Sequence, residues 1–137
     1  AAPVPAQAPP AMLPRGTETI LLVEDEQAVL ALSRTVLQEL GYCVLASADP
    51  AEALRLAEEH PGPIHLLLTD VIMPHMNGRD LATRLAELRP ETRTIFISGY
   101  TANVIHPDGI SDAALNFLQK PFTGRTLAAK VRAVLDS

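Results

Sequence analysis

The chain has 137 residues, 47% of them apolar and 20% charged, with a net charge of −5. This favours one domain with a core of its own, and no apolar run approaches the ~20 residues of a membrane helix. The acidic balance argues against a basic nucleic-acid-binding face, and the single cysteine, Cys43, excludes an internal disulfide and fits a reducing compartment.

Residues 1–16 hold five of the twelve prolines. Proline fixes φ and removes a backbone donor, so this stretch is expected to be an extended, unpacked linker. It lacks the basic start and continuous apolar centre of a signal peptide. The chain opens on Ala rather than Met, which suggests excision from a longer protein in which the linker joins something upstream. The domain proper is expected over 17–137.

From Thr19 onward, short apolar runs alternate with helical periodicity. The first strand is read at Ile20–Val23, and the first helix from Gln27 to Leu40, with Val29, Leu32, Val36 and Leu40 on its inner face. Gly41 stands where a helix C-cap is expected. A second strand follows at Cys43–Ala46, with Cys43 read as a small buried hydrophobe. Asp49 and Pro50 have N-cap and N1 chemistry for a second helix reaching Glu59. The third strand is Leu66–Asp70. Asn77 is a good N-cap for a third helix carrying Leu81, Leu85 and Leu88 on one stripe. A fourth strand covers Thr94–Ser98. The segment 100–114 should hold a fourth helix, short or irregular because Pro107, Asp108 and Gly109 interrupt it. The fifth strand is placed at Asn116–Gln119 and the last helix at Thr123–Leu135, with Leu127, Val131, Val134 and Leu135 inward.

Five strands alternating with helices, the strands continuously apolar, predict an α/β fold: a doubly wound, five-stranded parallel sheet covered on both faces. In such sheets ligands bind beyond the carboxyl ends of the strands, near the point where strand order reverses. The first strand ends in Glu24-Asp25-Glu26, the third in Asp70, the fourth in Ser98 and the fifth in Lys120-Pro121. Taken singly, each has a plain explanation: acids before a helix favour its dipole, and an aspartate, a serine or a lysine at a strand end serves equally as a turn or surface residue. Together they put carboxylates, a hydroxyl and an ammonium on one rim. Two carboxylates roughly 4 Å apart repel by about 4 kcal/mol at an effective dielectric of 20, so the site must take up protons or a cation. Hard oxygen ligands select Mg²⁺, and carboxylate, hard metal and ammonium together suit phosphoryl transfer, with a carboxylate as nucleophile.

At this point the sequence resembles the response-regulator receiver family. The matching motifs are Leu22-Val23-Glu24-Asp25-Glu26, Asp70-Val71-Ile72-Met73-Pro74-His75-Met76-Asn77-Gly78, Ser98-Gly99 and Phe117-Leu118-Gln119-Lys120-Pro121-Phe122. The resemblance covers Thr17 to the end. It implies a flavodoxin-like (βα)5 fold with strand order 2-1-3-4-5. It implies Asp70 as phosphoacceptor and Mg²⁺ or Mn²⁺ held by Glu24, Asp25, Asp70 and the backbone carbonyl of Ile72, with Glu24 acting mainly through metal-bound water. Lys120 and Ser98 would contact the phosphoryl oxygens, Ser98 as the switch hydroxyl. Phe117 would be the switch aromatic, and the Lys120–Pro121 bond would be cis. Glu24 stands where the family often has Asp, which lengthens the reach to the metal. Receivers commonly signal through the face made by the helix of 100–114, the last strand and the last helix, so an irregular helix there bears on output.

The expected function is that of a phosphoacceptor module in a two-component or phosphorelay system. Its partners would be a histidine kinase or histidine phosphotransfer domain, and a downstream signalling protein. The domain would not be an enzyme in itself beyond self-catalysed phosphorylation and autodephosphorylation. Tyr100-Thr101 and the proline-rich leader suggest the receiver of a hybrid sensor histidine kinase, cytoplasmic and without membrane contact by this segment. The alternatives are a stand-alone single-domain regulator and a phosphorylation-independent interaction domain. An aspartate-nucleophile phosphatase would need a second acid two residues after Asp70, where Ile72 stands, and no Gly-rich phosphate loop follows the first strand. His60, His65, His75 and His106 lack metal-ligand spacing and are read as surface residues.

Overall fold

The computed structural model describes residues 15–73, 76–98 and 117–136. The linker up to 14, the fourth-helix segment 100–114, the output face it would form, and His75 and His106 lie outside the described residues. The elements are β1 (Thr19–Val23), α1 (Gln27–Glu39), β2 (Cys43–Ser47), α2 (Pro50–Glu59), β3 (Leu66–Asp70), α3 (Gly78–Leu88), β4 (Arg93–Ser98), β5 (Phe117–Gln119) and α4 (Gly124–Leu135). The strands form one parallel sheet in the order β2-β1-β3-β4-β5. Strand order reverses between β1 and β3, which opens the crevice at their carboxyl ends.

Alternate residues of each strand serve opposite faces. Ile20, Leu22, Leu66, Leu68, Ile95 and Ile97 pack with Leu37 and Leu40 from the α1 end and Leu127 and Val131 of α4. Leu21, Val23 and Leu67 pack with Ala53 and Ala57 of α2 and Leu81 and Leu85 of α3. Each fully buried Leu or Ile contributes about 1.5–3 kcal/mol, and both faces need cover, so the strands carry no polar alternation.

Local chemistry sets the ends. Asn77 caps α3 by accepting from the Asp80 N–H at 2.9 Å, and Thr123 caps α4 by accepting from the Thr126 N–H at 3.1 Å. Gly41 ends α1 at φ +106°, a conformation glycine adopts without strain. Asp49 is the N-cap of α2 but makes no side-chain cap bond; Ser47 Oγ accepts from its N–H instead.

Four expectations change. The inner stripe of α1 is not the one read from periodicity: Leu32 is 50% exposed, while Ser33, Leu37 and Leu40 are buried and Leu30 and Val36 partly so. The helix turns Ser33 inward, where its hydroxyl finds no protein hydrogen-bond partner. Cys43 is exposed rather than buried, because it opens β2, the edge strand. Leu88 is 45% exposed at the end of α3. His65 is not a plain surface residue: its Nδ1 accepts from the Thr19 N–H at 3.0 Å and ties the start of β1 to the approach of β3.

Candidate functional site

β1 delivers Glu24 directly from its last residue, Val23, into a position with no solvent exposure. The Glu24 N–H donates to the Ser47 carbonyl at 3.2 Å, so β2 holds the chain there. Glu24 Oε2 accepts from the Glu26 N–H at 3.0 Å. Glu26 is the N-cap residue of α1, yet its side chain makes no cap bond, and no acid lies in the first helical turn. The helix-capping explanation of this acidic run therefore does not account for it.

Asp70 ends β3 and is buried. The chain beyond it turns sharply: the Val71 N–H donates to the Ile97 carbonyl at 3.1 Å, and the Gly78 N–H returns to the Val71 carbonyl at 2.7 Å. A Cβ on Gly78 would collide with the Asp70 carbonyl oxygen, so the close return requires glycine. Ile72, two residues past Asp70, has a 67% exposed side chain, consistent with a contribution from its backbone alone.

β5 ends at Gln119, and Lys120 follows, with the Lys120–Pro121 peptide cis. The Lys120 ammonium reaches three carboxylates. It donates to Glu26 Oε1 at 2.6 Å, to Glu24 Oε2 at 3.3 Å and to Asp70 Oδ2 at 3.3 Å. One carboxylate oxygen each from Glu24, Asp25 and Asp70 lies within 4.8 Å of the others. Three of the four strand tips expected at one rim therefore lie together. Ser98 is the last residue of β4, in register with Gln119; its side chain is outside the described residues. Phe117 opens β5 half-buried, its ring centroid 5.6 Å from that of Phe96.

The cluster is strongly coupled electrostatically. Burial, with the Asp70 carboxylate beside it, pushes Glu24 up to about 7. Burial also raises Asp70, while its hydrogen bond with Glu24 and the Lys120 ammonium oppose the rise. The pair therefore holds a proton more readily than two isolated carboxylates would. Burial pulls Lys120 down, but its hydrogen bond to Glu26 and the charges of Glu24 and Asp70 outweigh this, so its ammonium is held above the ordinary lysine value. One ammonium does not neutralise four carboxylates.

Glu24 Oε1 is buried with no hydrogen-bond partner. A buried carboxylate oxygen lacking a partner is costly. Beside two further carboxylates, it suits a hard divalent cation or a water that such a cation carries. The donor set thus fits Mg²⁺ or Mn²⁺.

Sequence reasoning placed Glu26 at the strand tip but gave it no role. Its position directly after the acid pair was the available signal. Reading along the chain also gave no sign of two structural clamps. Arg132 of α4 binds Glu18, Asp136, the Tyr42 hydroxyl and the Arg15 carbonyl. Arg89 donates to the Ala57, His60 and Gly62 carbonyls. Both lie away from the acidic cleft.

Comparison with known proteins bears on the family and the fold. A family model described as the response regulator receiver domain matches residues 20–132. The chain is similar to the sensor kinase CckA of Brucella abortus, with 39% identity over 88% of this chain but 13% of that protein. It is also similar to the response regulator receiver protein CpdR of the same organism, with 37% identity over 85% of this chain and 95% of that one. Among solved structures, the receiver domain of the hybrid histidine kinase CckA superposes with a TM-score of 0.70 at 38% identity, over 85% of this chain and 98% of that one. The chain thus spans about one-eighth of the sensor kinase and nearly all of the single-domain regulator.

Proposed function

Since the chain belongs to the response regulator receiver domain family, we propose that it accepts a phosphoryl group on Asp70 from a histidine kinase or a histidine phosphotransfer domain. The observation that carries this reading is the Lys120 ammonium 3.3 Å from Asp70 Oδ2, inside a cleft where Glu24 and Asp25 add two further carboxylates. A downstream signalling protein would read the switched state, and the setting would be cytoplasmic.

The residues divide the work by their chemistry. An Asp70 carboxylate oxygen attacks phosphorus, and the bond to the donor breaks with its electron pair leaving on the donor. Lys120 is placed to take one phosphoryl oxygen as charge shifts onto the equatorial oxygens. Glu24, Asp25, Asp70 and the Ile72 carbonyl would hold Mg²⁺ or Mn²⁺, which when bound supplies positive charge to the phosphoryl oxygens. The Ser98 hydroxyl would close on the new anion. Phe117, an aromatic without a hydroxyl, would follow it inward by burial alone.

The test is incubation with acetyl phosphate and Mg²⁺, read by intact-protein and peptide mass. One phosphoryl group on Asp70 is expected, and Asp70→Asn should abolish it. Labelling at another residue would refute the assignment.

The parent protein has two readings. Similarity to a sensor kinase, together with the proline-rich 1–16 linker ahead of a domain at 17–137, supports a receiver joined to an upstream kinase core in a hybrid histidine kinase. Similarity to CpdR over nearly its whole length supports a stand-alone regulator. The coding sequence upstream of Ala1 decides between them.

A further inference from the structure

We propose that Glu26 is a positioning residue: it latches the Lys120 ammonium at the mouth of the cleft and must yield it when the phosphoryl group arrives. This inference rests on the reading of Asp70 as phosphoacceptor.

An ammonium has three N–H donors and no acceptor. In Lys120 all three are committed, to Glu26 at 2.6 Å and to Glu24 and Asp70 at 3.3 Å each. An incoming phosphoryl oxygen needs one of them. Glu24 is wholly buried, and the Asp70 side chain nearly so; stripping either of its counter-ion would leave an unpaired buried charge. The Glu26 side chain is 60% exposed. Water can replace its partner, as at any exposed ion pair. The shortest of the three contacts is therefore also the one that gives way.

A second observation points to the same role. Glu26 is the N-cap residue of α1, where a short side chain such as Asp or Ser would accept from the helix's free N–H groups. Its side chain makes no such bond. The carboxylate reaches across 94 residues of chain to Lys120 instead.

The latch competes with the chemistry. When acetyl phosphate donates, the Asp70 Oδ–P bond forms as the P–O bond to the acetyl group breaks, and the electron pair leaves with acetate. Lys120 assists that redistribution of charge only with a donor free of Glu26.

The test is Glu26→Gln in the full chain, which keeps the side chain's size and removes its charge. The second-order rate of Asp70 labelling by acetyl phosphate with saturating Mg²⁺ is measured for this variant and for the same change in a Lys120→Met background. Labelling about two- to fivefold faster than wild type is expected, the range set by the strength of exposed ion pairs. The gain should vanish in the Lys120→Met background, because the latch acts only through that ammonium, and the thermal midpoint should move little. An equal gain in the Lys120→Met background would make Glu26 a repeller of anionic donors and overturn the latch. An unchanged or slower rate would also overturn it. If wild type labels on Asp70 and only the latch result fails, the phosphoacceptor reading stands alone. If wild type does not label on Asp70, both fall.

Discussion

Lys120 Nζ stands 3.3 Å from Asp70 Oδ2 although 50 residues separate them along the chain. Neither side chain could be held there alone. The aspartate is buried, and an isolated buried carboxylate would take up a proton rather than stay charged. The ammonium opposes that protonation, and the fold supplies it from the edge strand of the sheet.

Lys120→Met should therefore slow the chemistry. It removes the cation that faces Glu24, Glu26 and Asp70. Phosphorylation by a small-molecule donor should slow by about a hundredfold, the size expected for losing one transition-state charge contact. A rate within twofold of wild type would remove Lys120 from the phosphoryl site.

The acidic pair sets a pH dependence of stability. Glu24 titrates at about 7 in the folded chain against 4.5 for an ordinary glutamate. Between those values the folded state binds more protons than the unfolded state. Without a divalent cation, stability should therefore fall as pH rises from 4.5 to 7, by an amount on the order of 3 kcal/mol. Mg²⁺ should raise the thermal midpoint more at pH 8 than at pH 5.5, because binding needs the ionised carboxylates, and Asp25→Asn should weaken that effect. Equal Mg²⁺ shifts at both values would contradict the metal assignment.

At the opposite end of the molecule, Arg132 joins α4 to the start of β1. Its Nη2 lies 2.7 Å from Glu18 Oε2, and this pairing lowers Glu18 to about 2. A depressed carboxylate stabilises the fold above its unfolded value and loses that effect as pH falls toward its folded value. Glu18→Gln should lower stability at pH 7 and flatten the acid limb of the pH–stability curve between 4.5 and 2. An acid limb identical to wild type in urea titrations at several pH values would refute the pairing.

Arg89 closes the C-terminal end of α2. Its guanidinium meets three carbonyls, at 2.8 Å for His60 and Gly62 and 3.0 Å for Ala57. The last carbonyls of a helix have no partner within it. Arg89→Ala should cost about 2 kcal/mol by leaving them unsatisfied. Lysine, a compact point charge without the planar fork, should recover only part of that loss. Full recovery in Arg89→Lys would mean that charge, rather than the guanidinium's geometry, is what matters.

Much of this protein is legible along the chain. Continuous apolar strands between helical stretches are possible only when both sheet faces are covered, so the α/β class follows from period and composition. Asn77 and Thr123 cap the helices that follow them because their side chains can accept from the first free N–H groups. The chemistry at the strand tips is a matter of residue identity and can be read directly.

Other features depend on neighbours that no local pattern contains. Helix α1 and its C-cap carry leucines at 30, 32, 37 and 40, so two stripes compete, and packing against the sheet and α4 buried Leu37 and exposed Leu32. Cys43 is in a strand, as its surroundings suggest, but β2 is an edge and leaves it open. The acidic run is the sharpest case. Glu24 and Glu26 have the same side chain two positions apart, so the sequence determines only that both are carboxylates. The tertiary structure buries the first under β2 and β3, raising its proton affinity, and leaves the second in water on Lys120, because desolvation and ion pairing are set by what the other strands bring alongside.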